Sequence, residues 1–197
     1  KYVQGRNIFI TGPGGTGKSA LIRNIYEHAT TYGRDISVCA LTGCAAVLLG
    51  CRAKTIHSWA GLGLATGDID VVVKRIMKKF FKVKVWRETK VLVIDEVSMM
   101  SKHLFELLDG IGKATRKSQR PFGGIQLVFS GDFYQLPPVG QDGEPETEQF
   151  CFESPRWRVV FPLANHIVLT TMFRQVDPVY IAILNQIRCG QLDKEKL

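Results

Sequence analysis

The sequence predicts an α/β domain, a mostly parallel sheet with helices on both faces. Three observations predict it. Apolar runs at Asn7–Thr11, Ser37–Leu41, Val91–Ile94 and Ile125–Ser130 show no polar alternation, so each reads as a strand buried on both sides. Helical spacings lie between these runs, so consecutive strands are joined by crossovers. The first run leads into Thr11–Ser19, TGPGGTGKS, and then into apolar positions Ala20, Leu21, Ile22, Ile25, Tyr26 and Ala29. That is the strand, loop and helix setting of a phosphate-binding loop, G-x-x-x-x-G-K-S.

At 197 residues the chain is sized for one compact domain, 1–197, with a core that needs no staples. It begins at Lys1, close to a core strand and without Met, and reads as a piece of something longer. Its five cysteines, at 39, 44, 51, 151 and 189, form no C-x-x-C and no zinc spacing with the histidines. They read as reduced, buried thiols of an intracellular protein. No apolar run approaches the roughly 20 residues of a membrane span, and no signal peptide is present. The net charge of +8 and pI of about 9.4 suit a polyanionic partner.

In the loop, Gly12, Gly14, Gly15 and Gly17 let the backbone curl, so that its N–H groups, with that of Thr16, converge on phosphate oxygens. Lys18 reaches the β and γ phosphates of the nucleotide, and the Ser19 hydroxyl holds Mg²⁺. Cys44–Leu49 then reads as a short buried helix, and Lys54–Gly63 as an irregular segment. Asp68 caps a helix whose apolar face is Ile69, Val72, Val73, Ile76 and Phe80. From Phe81 to Trp86 the spacing turns to alternation, and no helix end is marked. Residues 74–90 hold eight basic side chains and one acid, Glu88. The run reads first as a solvated helix face, with nucleic-acid contact as the alternative.

Val91–Ile94 ends in Asp95-Glu96. In a parallel sheet this pair shares the carboxyl edge with the phosphate loop. Asp95 positions Mg²⁺, and Glu96 accepts the proton of the water that attacks the γ phosphate. An acid beside the metal Asp marks a hydrolase rather than a kinase, and no N-K-x-D is present, so ATP is preferred over GTP. Ser101 caps a helix carrying Leu104, Phe105, Leu107, Leu108 and Ile111. After the strand at 125–130 comes GDFYQLPP, a loop stiffened by Pro137 and Pro138 that holds Gln135, a neutral side chain able to touch both phosphate and water. Gln141–Gln149 reads as a mobile acidic loop, Ile167–Leu169 as a last strand, and Asp177-Pro178 as the start of a helix running to about Arg188.

TGPGGTGKS, ALTGCAA, KTIHSWAGLG, VLVIDEVSMM, LFELLDGIGKATR, FGGIQLVFSGDFYQLPPV, CFESPRW and TMFRQVDP occur in that order. Together they resemble the Pif-one family of DNA helicases, relatives of RecD in superfamily one, from about Arg6 to Gly190. The resemblance implies a RecA-like P-loop NTPase domain that uses ATP and Mg²⁺. It implies that Gln135 senses the γ phosphate and that Arg174 supplies a cationic finger; on residue type alone Arg174 reads as a surface arginine. It places Thr42-Gly43, Thr55 and His57 along a groove for single-stranded DNA, although a packed His57 stays open as a reading. Trp59 and Phe133 read as core first, with base stacking as the alternative. The family's motor has a second domain, and no second-domain motif such as K-S-Q-G stands before Leu197, nor does Gln4 sit far enough upstream to read adenine. The chain is therefore expected to be the first motor domain of a polypeptide that translocates 5′ to 3′ on single-stranded DNA and opens forks, in replication, repair, recombination and telomere maintenance. Its setting would be nucleus or mitochondrion in a eukaryote, and cytoplasm in a bacterium or for a virus. The other classes considered are a nucleotide- or nucleic-acid-binding module without motor activity and a small-molecule phosphotransferase; Glu96 and the Gln135 loop argue against the latter.

Overall fold

The computed structural model describes residues 1–63 and 67–191. Among these residues six strands form one parallel sheet: β1 (Ile8–Thr11), β2 (Ile36–Ala40), β3 (Lys54–Thr55), β4 (Val91–Asp95), β5 (Gln126–Ser130) and β6 (His166–Val168). Their order is β3-β2-β4-β5-β1-β6. The period-two alternation of side chains sorts each central strand between two cores. Ile8, Ile10, Val38, Ala40, Val91, Val93 and Val128 face helix α1 (Lys18–Thr31) and helix α2 (Gly43–Leu49). Phe9, Cys39, Leu92, Ile94, Leu127 and Phe129 face the other side. There they meet α3 (Ile56–Ala60), α4 (Ile69–Met77), α5 (Phe80–Glu88), α6 (Lys102–Arg116) and the short α7 (Trp157–Val160). This is the RecA-like P-loop architecture, a parallel sheet covered on both faces. Helix α8 (Pro178–Cys189) follows β6.

Several expectations are corrected. Helix α2 is not buried: only Ala46 and Leu49 face inward, while Val47 and Leu48 are 81% and 77% exposed. A seven-residue helix on an edge strand has one inward stripe, at i and i+3. In α1, Ala20 is exposed and the buried positions are Ile22, Ile25 and Ala29. The helix capped by Asp68 stops at Met77, and α5 starts at Phe80, so Phe80 leaves the apolar face it was assigned to. The break lies at Lys79, whose φ of −94° and ψ of 87° are not helical. Of the cysteines, Cys39 and Cys151 are buried, whereas Cys44 and Cys189 are exposed.

The acidic stretch 141–149 is a folded turn. Gln141 and Glu144 form an antiparallel bridge, and a 3-10 turn runs from Pro145 to Thr147. The buried Thr147 hydroxyl accepts from the Gln141 N–H at 2.8 Å, and Glu146 pairs with Lys102 at 2.9 Å. The basic run is only in part a solvated face. Arg75 donates to Leu62 O, Lys79 to Gly61 O, Lys82 to Ser58 O and Arg87 to Thr115 O. These cations satisfy carbonyls at the ends of α3 and α6 that the helices leave open. Helix α8, apolar by sequence, buries no residue fully. Among the described residues, no helix is long and apolar enough to cross a membrane.

Candidate nucleotide and nucleic-acid site

Parallel strands bring their carboxyl ends to one edge, and the loops there meet around the segment after β1. The Leu169 N–H bonds Thr11 O at 2.8 Å, and the Gly131 N–H bonds Ile10 O at 3.1 Å. The phosphate loop is threaded through close quarters. A Cβ on Gly12 would overlap the Leu169 carbonyl, and one on Gly15 (φ 84°) would lie 2.8 Å from Arg174 Cβ. Only glycine fits either position. Gly17 starts α1 in the left-handed region, with no side-chain cap and no acid in the first turn. The first N–H groups of α1 are thus left for an anion. The Lys18 ammonium crosses the loop and donates to Gly12 O at 2.6 Å and Pro13 O at 2.9 Å. Thr16 is buried and braces the loop, its hydroxyl donating to Pro13 O at 2.8 Å. Ser19 is exposed in the first turn of α1, and Gly14 is open on the side toward Gln135.

Asp95 ends β4 and is 5% exposed. Burial pushes its carboxyl above the usual range; the Ser130 hydroxyl, the Glu96 N–H and the Lys18 ammonium oppose that rise. Glu96 is raised as well, by burial and then by the Asp95 charge. It also sits at φ 59° and ψ 39°, a left-handed conformation a non-glycine residue seldom takes. Burial lowers the Lys18 ammonium against the pull of Asp132, Glu96 and Asp95. Four ionisable groups therefore feel one another at this edge, which is where pKa values shift at working sites.

The donor set suits Mg²⁺. Among the described residues no group of three or more His, Cys, Asp or Glu gathers to form a metal cage. A hydroxyl and one or two carboxylates beside a phosphate loop are what an ion that keeps waters and phosphate oxygens requires. Ser19 and Asp95 are the residues that would hold it.

The GDFYQ loop leans on the phosphate loop. Gln135 Nε2 lies 3.7 Å from the position a Gly14 Cβ would take and donates to Asp132 Oδ2 at 3.4 Å. Residues 173–175 cross the loop from the other side. The Phe173 N–H bonds Gly15 O at 2.9 Å, and the buried Gln175 Oε1 has no hydrogen-bond partner among the described residues. Arg174 stands beside Gly15 with its side chain exposed. The sequence reading missed one pair here. Asp132, 1% exposed, takes a bidentate contact from Arg188 of α8, Nε to Oδ2 and Nη2 to Oδ1, both 2.7 Å. The Arg188 guanidinium also lies 4.3 Å from the Tyr134 ring centroid. The signal available was an acid directly after a strand-ending glycine and a lone Arg on an apolar helix.

Thr42 and Thr55 stand at the ends of neighbouring strands β2 and β3, with Gly43 as the first residue of α2. Their hydroxyls are helix caps, accepting from the Ala45 and Ser58 N–H groups at 3.2 Å each. Those caps aim two short helix starts at the same edge. His57 lines a cleft of about 230 Å³ with Leu41, Met99, Ser101, His103 and Pro138. Burial lowers its pKa, so it is a neutral ring at pH 7 and a hydrogen-bonding group rather than a cation. Trp59 is buried, tilted against Trp86 at 4.5 Å, and Phe133 packs on Phe9, Phe152 and Trp157, so both are core as expected.

Comparison with known proteins bears on the same motifs. A model of the PIF1-like helicase family matches residues 2–196. The ATP-dependent DNA helicase RRM3 of Saccharomyces cerevisiae is 45% identical over 188 residues, 94% of this chain and 25% of the relative. The crystal structure of Pif1 helicase from Candida albicans superposes with a TM-score of 0.90 at 41% identity, over 99% of this chain and 43% of that one. Pif1 helicase from Bacteroides, solved in complex with ADP-AlF3 and ssDNA, gives 0.79 at 28% identity, over 97% of this chain and 44% of that one. The chain thus spans between 25% and 44% of the length of these relatives, while its own length is matched almost end to end. It belongs to the PIF1-like helicase family.

Proposed function

We propose that the chain is the ATP-binding domain of an ATP-dependent DNA helicase that moves 5′ to 3′ on single-stranded DNA and opens forks. The observation that carries the reading is the gathering of Lys18, Asp95, Glu96 and Asp132 around one glycine-shaped loop. It is supported by relatives named as ATP-dependent DNA helicases and by a solved relative holding ADP-AlF3 and ssDNA.

In this reading the loop N–H groups and Lys18 bind the nucleotide phosphates, and Lys18 exchanges its contacts with Gly12 O and Pro13 O for phosphate oxygens. Ser19 and Asp95 would hold Mg²⁺, which would supply positive charge to the phosphates when bound. Glu96, its pKa raised by burial and by the Asp95 charge, takes one proton from a water. The water oxygen bonds to the γ phosphorus as the bond to the ADP oxygen breaks. Gln135 orients that water, and Arg174 stabilises charge on the transferring phosphoryl. Thr42, Gly43, Thr55 and His57 contact the DNA strand. A second motor domain of the same polypeptide closes on the exposed side of Arg174, and this closure couples the nucleotide to grip on DNA.

The test is ATP hydrolysis by the full-length polypeptide with and without a single-stranded oligonucleotide, beside Lys18→Ala and beside the 197-residue chain alone. DNA-stimulated turnover is expected in the long form, falling about 100-fold or more in Lys18→Ala and near zero in the short chain. Salt-sensitive DNA binding with no nucleotide dependence would instead favour a module without motor activity.

A further inference from the structure

The corner between α4 and α5 is an unexpected surface. Phe80 and Phe81 are 74% and 80% exposed, neighbours in sequence, and packed edge-on against each other at 5.7 Å. Two adjacent phenylalanines left to water are unusual for a helix start, because burial of either would be favourable. The buried work of this corner is done by others, namely Val72 and Ile76 in α4 and Val83 and Trp86 in α5. The charge around the pair is mostly positive. Lys74, Lys78, Lys79 and Lys84 are exposed; of the acids within the two helices, Asp70 stands in the first turn of α4, and Glu88 sits at the far end of α5 and reaches Lys84 at 3.7 Å.

The corner is tied to the edge that carries Thr55 and His57. Lys82 Nζ donates to Ser58 O at 2.6 Å, and Lys79 Nζ to Gly61 O at 2.9 Å, so the first turn of α5 rests on α3. Topology points the same way. Helix α5 leads to Val91, the start of β4, at the amino edge of the sheet, so Phe80 at its other end lies toward the carboxyl edge. A band of cations joins the two places: Lys54 in β3 and Lys79 each lie close enough to repel Lys82, whose pKa is lowered by burial first and then by these two charges.

We infer that Phe80 and Phe81 form a stacking platform for bases of a single DNA strand continuing beyond the Thr42–His57 edge, with Lys74 and Lys78 on its phosphates. Aromatic faces accept any base, and flanking lysines follow the backbone without reading sequence. A protein partner is the lesser fit, since the pair is ringed by lysine, a residue depleted at the centre of protein interfaces. The inference rests on the helicase reading given above.

The experiment uses the full-length polypeptide and oligothymidine carrying 5-iododeoxyuridine at single positions. Irradiation should cross-link the strand to Phe80 or Phe81, mapped by mass spectrometry. By fluorescence anisotropy, Phe80→Ala/Phe81→Ala should weaken binding about 5- to 100-fold, while Phe80→Tyr/Phe81→Tyr retains it. Lys78→Ala should reduce the salt slope by roughly one. ATP turnover without DNA should stay unchanged in all of these, which also shows that they fold. Unchanged affinity with cross-links confined to residues 42–57 would overturn the platform, as would an altered oligomeric state with DNA binding intact. In either case, DNA-stimulated turnover lost in Lys18→Ala would leave the helicase reading standing. Absence of any DNA binding or stimulation in the unmodified protein would remove both. Should the alanine pair fail to fold, the cross-link on the unmodified protein decides.

Discussion

Asp95 occupies a place where an ionised carboxylate is uncomfortable. Its folded pKa lies above the ordinary value of 3.8, with burial as the chief cause. The native state therefore favours the protonated form, and that preference is fully expressed below 3.8 and lost as pH rises through the shifted value. At neutral pH the charge costs stability. Asp95→Asn keeps the shape, can still accept from the Glu96 N–H, and removes the charge. We expect it to raise the melting temperature of the chain by roughly 2–4 °C while abolishing turnover in the full-length protein, the trade seen when a working group is neutralised. A lower melting temperature for Asp95→Asn would show that the carboxylate is structurally required instead. Lys18 and Glu96 carry the same kind of burden, and Glu96 adds backbone strain at φ 59°. All three were legible in the sequence, because a phosphate loop and an acid pair at a strand end have fixed spacing. Asp132 with Arg188 was not, because the partners are 56 residues apart and their pairing depends on where α8 comes to rest.

At the scale of elements, α6 organises one face of the sheet through its polar residues as much as its apolar ones. The Arg116 side chain reaches the end of α5, with Nη1 donating to Trp86 O, Arg87 O and Thr89 O at 2.8–3.1 Å, while its Nε donates to Gly123 O at 2.8 Å. Arg87 of α5 answers by donating to Thr115 O of α6 at 2.8 Å. Each helix thus caps the other's last carbonyls, the groups a helix end cannot satisfy alone. Asp109, in the middle of α6, accepts from the Phe122 N–H, Lys113 and Arg156. The run LFELLDGIGKATR that supported the family resemblance therefore does structural work distant from the phosphate loop. Arg116→Ala should cost about 2 kcal/mol, or roughly 4–8 °C in melting temperature, and Arg116→Lys should recover less than half, since a single ammonium nitrogen cannot reach both Gly123 O and the carbonyls at the end of α5, which Arg116 contacts through separate nitrogens. Denaturant melts of the three proteins measure this; an Arg116→Ala curve that overlays the parent would discard the mutual cap. The start of α6 was legible from Ser101, whose hydroxyl accepts from the Leu104 N–H at 3.1 Å. The stop of α4 was not. Lysine has good helix propensity, and the break at Lys79 coincides with its bond to Gly61 O just past α3, a contact that no local pattern reveals.

Across the whole molecule, stability is unevenly shared. Strands β1, β2, β4 and β5 are sandwiched between two cores of fully buried side chains, and their loss is the loss of the fold. Helix α8 has no fully buried residue, and Val179, Tyr180 and Ile187 are half exposed or more. Arg188 ties it to the body, pairing with Asp132 and stacking on Tyr134. Burial raises the Asp132 carboxyl, but the Arg188 hydrogen bonds, the Tyr134 N–H and the Arg188 and Lys18 charges outweigh it, and the net pKa is depressed. The tie is therefore complete above the ordinary value of 3.8 and is lost only as pH falls through the lower folded value. The opening of α8 should be a separate, low-energy event, cheaper than global unfolding and governed by that one carboxylate. Hydrogen exchange at neutral pH tests it. In Asp132→Asn the amides of 181–189 should exchange at least about tenfold faster while those of β4 and β5 keep their protection. Because Gln135 also leans on Asp132, the same substitution should loosen the loop beside Gly14, so the GDFYQ segment should quicken with α8. If 181–189 and the central strands instead exchange together in both proteins, α8 belongs to the cooperative core, and its anchoring must come from the half-buried Ile181, Ile183 and Leu184 rather than from the ion pair.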